Sequence, residues 1–181
     1  MKRIALILIS IVLAGTMLSA LAGCKRNDEQ VIRDCISSEF DEVTKADSEL
    51  WKIGLKTAVE ALDTMGVPFQ ELFSVWTDGY KYEITSVKID GDTAAVEVKV
   101  TCKQFNPAVA IAQDTIVHVP DVNNKPVDEV QALYGAEIMS ELTAAAPVTT
   151  TISITCTKAD NTWSIEGDIF EDISQALLGA Q

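Results

Sequence analysis

Apolar side chains recur every three or four residues along several stretches of this chain, a spacing that predicts amphipathic helices. The predicted helices cover residues 27–46, 47–65, 68–76, 106–117 and 127–145, with a short last one around Ile173 and Leu177. Asn27, Ser48 and Asn106 are expected to cap three of them, and Gln30 is expected to complete a capping box with Asn27. The expected inward positions of the fifth helix are Val130, Leu133, Ile138 and Leu142.

In two other parts of the chain the apolar residues alternate with polar ones, which predicts a pair of β-hairpins. The predicted strands are 80–90, 93–103, 148–157 and 162–169, with turns at Asp90-Gly91 and at Ala159-Asp160-Asn161. The first strand changes phase between Ile84 and Val87. A β-bulge near Thr85-Ser86 would restore one apolar face and would bend the sheet.

The inward phases of these strands are almost wholly aliphatic, while the odd-numbered row from Thr149 to Thr157 is polar and β-branched, as on a solvent-facing side. We therefore predict an α+β fold, in which a bent antiparallel sheet of about four strands wraps on N-terminal and central helices like a cone. Residues 31–181 hold no repeat and no low-complexity linker, and they read as one domain.

A different pattern precedes this domain. Lys2 and Arg3 are followed by an apolar run over residues 4–18, and small residues then lead to Leu21-Ala22-Gly23-Cys24. This order resembles the signal and lipobox of a bacterial lipoprotein. The resemblance implies cleavage between Gly23 and Cys24, diacylation of the Cys24 sulfur, and a cell-membrane location on the extracytoplasmic face.

Under that interpretation residues 1–23 are the signal peptide and 24–30 are a lipid-anchored tether. Two acyl chains hold a protein durably at a membrane, because each buried methylene contributes about 0.8 kcal/mol. The alternative is an uncleaved transmembrane helix, since the apolar run approaches the ~20 residues that a bilayer requires.

The chain carries a net charge of −13. Cleavage of residues 1–23 would remove Lys2 and Arg3, and the remaining 158 residues would carry a net charge of −15. Such an acidic body argues against nucleic acid as a partner, because that binding depends on phosphate neutralisation by Lys and Arg. It also argues against a domain that lies flat on an anionic membrane.

Three cysteines remain after Cys24, and the odd number means that at least one is unpaired within the chain. If the strands that hold Cys102 and Cys156 are antiparallel neighbours, the two lie ~20 Å apart, too far for a disulfide. We favour buried thiols, and the alternative is a bridge from Cys35 to Cys102 or Cys156. With one histidine and no CxxC motif, no metal site and no cofactor are predicted.

The residues that could carry catalysis have simpler explanations, so no catalytic residue is predicted. His118, the single histidine, precedes Pro120 in a predicted loop, and no nucleophile motif accompanies it. Asp114 and Asp168 lie nearest to expected pocket-lining segments and are assigned to surface or capping roles. A cluster of acidic residues consists of Glu39, Asp41, Glu42, Asp47 and Glu49. This acidic cluster lacks the spacing and the glycine of a calcium loop, so it is interpreted as a solvated helix face.

The order of helices and hairpins resembles the nuclear transport factor 2-like, or cystatin-like, domain found in small lipoproteins of Gram-positive bacteria. The likeness rests on residues 82–96, on Thr155-Cys156-Thr157-Lys158 and on Trp163-Ser164-Ile165, which describe hairpins and core positions. It implies a bent sheet around helices with a pocket at the open end. Some such domains are enzymes and many only bind.

These observations favour a lipid-anchored lipoprotein that binds a small ligand, a peptide or another envelope protein without catalysis. One alternative is a small hydrolase or isomerase with a buried carboxylate of raised pKa in its pocket. Another is a structural partner in an envelope complex, which a contiguous exposed apolar patch would favour.

Overall fold

The computed structural model describes residues 27–179 and confirms a mixed α+β fold. The elements are α1 (Asp28–Asp41), α2 (Lys56–Thr64), α3 (Phe69–Trp76), β1 (Lys81–Asp90), β2 (Thr93–Cys102), α4 (Phe105–Val117), α5 (Val127–Ala144), β3 (Val148–Ala159), β4 (Thr162–Glu166) and α6 (Ile169–Leu178). Short 3-10 turns occupy Glu42–Thr44 and Val122–Asn124, and a π-helical turn occupies Leu50–Gly54. The predicted leader, with Gly23 and Cys24, lies outside the described residues.

The four strands form one antiparallel sheet in the order β1-β2-β3-β4. Alternate residues of β2 and β3 are buried on one face, where α1 and α6 pack against the sheet. The core residues on these four elements include Val96, Val98, Val100, Ile152 and Ile154 from the sheet, and Ile32, Ile36, Phe40, Ile173 and Leu177 from the helices. The polar row that begins at Thr149 lies on the opposite, largely exposed face, as the alternation predicts.

The predicted bulge is confirmed in β1. Ile84 pairs with Val98 and Ser86 pairs with Glu97, so Thr85 has no register partner in β2, although its hydroxyl donates to the Glu97 carbonyl at 3.1 Å. The extra residue changes the phase of the strand and places Val87 opposite the buried Val96. Ile84 and Val87 therefore both face the core, although a regular strand would place them on opposite faces of the sheet.

Aromatic side chains fill the space beneath α2 and α3. The Trp51 ring makes edge contacts with Phe69, Phe73 and Trp76 at centroid distances of 5.3–5.9 Å. Trp76 also stacks on Phe105 at 4.8 Å. Such pairs add to the free energy gained from burial of the rings. They tie the helices that precede β1 to the start of α4.

The predicted boundaries of the first two helices are partly wrong. Asn27 caps α1 through a hydrogen bond from the Glu29 amide, but Gln30 donates to Asp34 instead of completing a capping box. The helix ends at Asp41 rather than at residue 46. Ser48 caps no helix, and its buried hydroxyl has no hydrogen-bond partner within residues 27–179. Here the π-helical turn brings Trp51 to the core, where its indole donates to the Val43 carbonyl at 3.0 Å.

Two predictions for the central helices also require correction. Residue 104, rather than Asn106, occupies the N-cap position of α4. Leu133 on α5 is 37% exposed, because α5 packs on α3 and α4 instead of on the sheet. Its inward stripe is therefore Gly135, Ile138, Met139 and Leu142.

The fourth strand is shorter than its sequence pattern predicts. The predicted strand ran to Ile169, but β4 ends at Glu166 and Ile169 begins α6. Between them Gly167 adopts a φ of 92°, a conformation that favours glycine. The Asp168 carboxylate then accepts hydrogen bonds from the amides of Phe170 and Glu171. The chain therefore leaves the sheet after Glu166. As a result, the part of β3 that precedes Thr155 has no pairing with β4.

Candidate binding groove

A groove of about 420 Å³ lies between the first half of β3 and α6. Residues 148–153 form its strand side, and Asp172, Gln175 and Ala176 form its helix side. Gln104, just after β2, completes the lining. Since main-chain groups, hydroxyls and one carboxylate surround it, the groove offers hydrogen bonds along a line rather than a closed apolar chamber.

The strand side of the groove is an open edge of the sheet. Pairing between β3 and β4 begins at Thr155 opposite Glu166 and continues to Ala159 opposite Thr162. Residues 148–154 pair with β2 alone among the described strands. At ~3.3 Å per residue this edge is about 23 Å long. Every other residue along it turns its amide and carbonyl away from β2, toward the groove.

The helix side is held in place at the far end of α6. The Trp76 indole lies within hydrogen-bond distance of two carbonyl oxygens, at 3.2 Å from that of Lys103 and 3.3 Å from that of Leu177. The Cys102 thiol contacts the Ala176 carbonyl at 3.5 Å. These contacts join the end of α6 to the end of β2.

The groove is acidic. Partial burial raises the pKa of the Asp172 carboxyl, and the nearby carboxylates of Glu171 and Asp168 raise it further. No lysine or arginine lines the groove in the part of the chain that the structure describes. A negative potential at such a site attracts a cationic group.

A larger depression of about 730 Å³ lies between the α2–α3 connection and α5. Small and flexible side chains dominate its wall, including Met65, Ala132, Ala136 and Met139. Its wall is helix and turn rather than a strand edge, so it lacks a row of unused strand hydrogen bonds. The β3 groove is therefore the better-defined recognition site.

The residues that could carry catalysis by type, for which the sequence favours other roles, do not converge on either depression. Asp168 caps α6, in agreement with its assigned role. Asp114 is exposed on α4, and the His118 Nδ1 lies 2.7 Å from the Asp114 carbonyl oxygen, which is a local helix-end contact. Among residues 27–179 no aspartate or glutamate is buried.

The acidic cluster at the end of α1 is mostly engaged in local contacts. Glu42 pairs with Lys45 at 2.6 Å, and Asp41 accepts a hydrogen bond from the Tyr82 hydroxyl at 2.9 Å. Glu39 is half-buried, and this partial burial raises its pKa, which the nearby Glu42 carboxylate raises further. The described residues contain no group of three or more side chains suited to hold a metal ion. No helix in the same range has the length and apolarity to cross a membrane.

The three cysteines after the leader are free thiols. Cys102 pairs with Val148 and Cys156 pairs with Ala94, so these two cysteines lie at opposite ends of the β2–β3 ladder, as the register argument expects. Burial raises the pKa of each to about 11. Cys35 on α1 is half-buried, and its pKa is also raised. The bridge from Cys35 to Cys102 or Cys156, which the sequence leaves as the alternative to buried thiols, stays a hypothesis.

The buried thiols should resist alkylation. At pH 8 under reducing conditions, we expect iodoacetamide to modify Cys102 and Cys156 at least ~100-fold more slowly than an exposed thiol of pKa 9, because the thiolate is the nucleophile. Peptide mapping by mass spectrometry measures each rate separately. Labelling in denaturant, where the three rates should become similar, is the control. Fast modification of Cys102 in the folded protein would contradict the structure.

Loss of the α6 cap should weaken the fold measurably. We expect Asp168→Ala to lower the free energy of unfolding by about 1 kcal/mol, since two first-turn amides lose their acceptor. Asp128→Ala is the matched control, because Asp128 supplies first-turn charge to α5 but is not its N-cap. Urea denaturation of both variants compares them. Equal effects would assign the stabilisation to charge rather than to the hydrogen bonds.

A scan against protein-family models finds no match to this chain, and a search of curated proteins finds none either. Among solved structures, one match is the crystal structure of YcdA from Bacillus subtilis, a protein proposed to be a lipoprotein. The two share 17% sequence identity with a TM-score of 0.41. The alignment covers 83% of this chain and 47% of YcdA, so the chain spans about half the length of that protein.

Proposed function

We propose that this protein is a lipid-anchored extracytoplasmic lipoprotein whose folded body binds another protein without catalysing a reaction. The anchor rests on the signal-like leader and Cys24, read from the sequence. The observation that supports protein binding is the open β3 edge beside α6, a linear site of strand length. A linear site of this kind fits a polypeptide better than a compact small molecule.

The filled interior of the fold supports the same choice. The core positions of β2 are at most 2% exposed, and those of β3 at 152, 154 and 156 are at most 7% exposed. The helices α1 and α6 occupy the space that a ligand chamber would need. A cone filled by its own side chains leaves recognition to the rim and the outer surface.

The enzymatic alternative lacks its expected feature. It requires a buried carboxylate in a pocket, whereas Asp172, the carboxylate in the groove, is exposed. A raised pKa on an exposed group does not assemble a catalytic site without a second functional group beside it.

Assembly within an envelope complex is a second candidate. The α4–α5 hairpin exposes large apolar side chains, namely Ile111, Val117, Val127 and Leu133. Exposed apolar surface of this kind marks interaction sites when it is contiguous. This surface would act in addition to the β3 groove.

Metabolic labelling with an alkyne-tagged fatty acid tests the anchor. We expect the wild-type protein to be labelled and Cys24→Ala to lose the label. Cys35→Ala is the matched control and should retain the label. An unlabelled wild-type protein, or a labelled Cys24→Ala variant, would overturn the anchor.

Native mass spectrometry of the protein purified from its own host in mild detergent tests the bound partner. We expect a complex with a second polypeptide at defined stoichiometry. A bound molecule of a few hundred daltons in place of a polypeptide would contradict protein binding and would favour the small-ligand interpretation.

A further inference from the structure

The two edges of the sheet differ in how well they are protected. On the β1 edge, the Arg33 guanidinium of α1 donates to the Ile84 carbonyl at 3.0 Å, and the bulge at Thr85 interrupts the strand. Lysines at 81 and 88 also flank this edge. Charges, bulges and covering side chains are the features that prevent a sheet edge from pairing with another strand.

The β3 edge has none of these features over residues 148–154. Its register with β2 is continuous, and the stretch contains no charged residue and no proline. Within the described range, no element other than β2 donates a main-chain or side-chain hydrogen bond to the main chain of this stretch. An edge of seven regular residues with free amides and carbonyls is a template for an added strand.

The added strand would take the place that β4 leaves empty. Because β4 ends opposite Thr155, a strand inserted beside residues 148–154 would continue the line of β4 toward Gln104. The groove already separates α6 from this edge, so the new strand requires no movement of the helix. A strand edge with a helix alongside is the geometry in which extended peptides join a sheet.

The charge of the groove selects among possible occupants. Asp172 lies on its helix side with Glu171 and Asp168 close by, and the body as a whole is strongly acidic. A second copy of this chain would bring the same carboxylates and the same net charge to the interface. A cationic segment would instead neutralise them.

We propose that the β3 edge from Val148 to Ile154 binds an extended segment of a partner protein as an added strand, with a lysine or arginine of that segment beside Asp172. This inference rests on the proposed protein-binding function and specifies its site. Side chains of the segment would point alternately toward α6 and toward solvent. The main-chain hydrogen bonds to β3 would provide affinity, and the basic side chain beside Asp172 would provide selectivity.

Selection from a phage-displayed library of random linear dodecapeptides, with the mature protein in detergent micelles as target, tests the proposal. We expect enriched peptides to alternate β-branched residues with polar ones and to carry a lysine or arginine. A synthetic copy of the most enriched peptide is then titrated by calorimetry. Hydrogen exchange should slow at alternate amides of residues 148–154 when this peptide binds.

Substitutions in the groove locate the peptide. Gln175→Trp fills the helix side and should weaken binding at least 10-fold, whereas Gln70→Trp, the same change at an exposed site on α3, should leave it unchanged. Asp172→Asn should weaken binding about 3- to 10-fold. Asp128→Asn alters the net charge equally and should have little effect.

Three results would overturn the inference. They are a selection without enrichment, a bound peptide that leaves exchange at residues 148–154 unchanged, and a dimer in sedimentation experiments that Gln175→Trp dissociates. The third would assign the edge to a second copy. Each of them leaves the fatty-acid labelling and a polypeptide seen by native mass spectrometry unaffected, so failure of the edge is distinguishable from failure of the anchor and of the proposed protein-binding function.

Discussion

Replacement of Trp76 by alanine is expected to lower the free energy of unfolding by about 4 kcal/mol, the largest effect of any single substitution considered for this protein. Trp76 is 0% exposed, whereas the other two core tryptophans, Trp51 and Trp163, keep 2% and 5% of their surface exposed. Its removal leaves a cavity beneath α3 and takes away the ring contacts with Trp51 and Phe105. The surrounding structure can collapse only partly into such a cavity.

Part of this loss comes from hydrogen bonds. Without the indole, the carbonyls of Lys103 and Leu177 lose a buried donor at the point where β2 and α6 meet. Trp76→Phe keeps a six-membered aromatic ring but removes the N–H donor and part of the indole volume, so we expect about 2 kcal/mol for it. The groove also depends on this junction, because the same contact positions α6.

Urea denaturation followed by circular dichroism measures both variants. Ile53→Ala is the control, because Ile53 is 71% exposed and its truncation should change stability by less than about 0.5 kcal/mol. A Trp76→Ala variant as stable as the wild type would show that the aromatic cluster is not packed as described.

Gly135→Val is expected to destabilise the protein by about 3 kcal/mol, and Gly135→Ala by about 1 to 2 kcal/mol. Glycine weakens a helix, so alanine in its place ordinarily stabilises by roughly 1 kcal/mol. The sign should reverse here. A Cβ at residue 135 would lie 2.8 Å from the Met65 carbonyl oxygen and 3.0 Å from the Val67 Cγ2.

The clash cannot be relieved cheaply, because the nearest atom belongs to the main chain of the turn after α2. Thermal and urea unfolding of the two variants, with Ala132→Gly as a control on the same helix, measure the effect. Ala132 is exposed, so glycine there should cost only the ordinary helix propensity of about 1 kcal/mol. A Gly135→Ala variant more stable than the wild type would contradict the close approach of α5 to this turn.

Most of the secondary structure follows from local sequence patterns, and even the irregular bulge in β1 could be predicted from them. The phase change between Ile84 and Val87 is visible in the sequence and has one simple solution, an extra residue at Thr85. The Asn27 cap and the two hairpin turns follow equally from local chemistry.

The failed predictions fall where a neighbouring element overrides local preference. Ser48 has the side chain of a cap, but the π-helical turn that follows it brings Trp51 into the aromatic cluster. Leu133 follows the apolar spacing of α5, yet that helix packs on α3 and α4, so this side chain is exposed. Spacing identifies a helix more reliably than it identifies the helix's neighbours.

The early end of β4 is the difference that lengthens the open β3 edge beside the candidate groove. A fourth strand that ran to Ile169 would have paired with β3 as far as Ile152 and would have covered three of the seven residues of its open edge. The Gly167-Asp168 pair, a glycine followed by a residue suited to N-caps, is the signal that could have predicted an earlier end. The alternation of apolar and polar residues continues past Glu166 to Ile169, so it gives no sign that the strand ends at Glu166.

Local information in the chain was enough to define the signal-like leader, the acidic body, the hairpins and an aliphatic interior, because each depends on residues close together in sequence. The open edge of β3, the position of α6 and the close approach at Gly135 emerged only on folding. They depend on contacts between elements that lie about 30 to 100 residues apart in the sequence. Side-chain volumes and hydrogen bonds at those contacts determine the geometry.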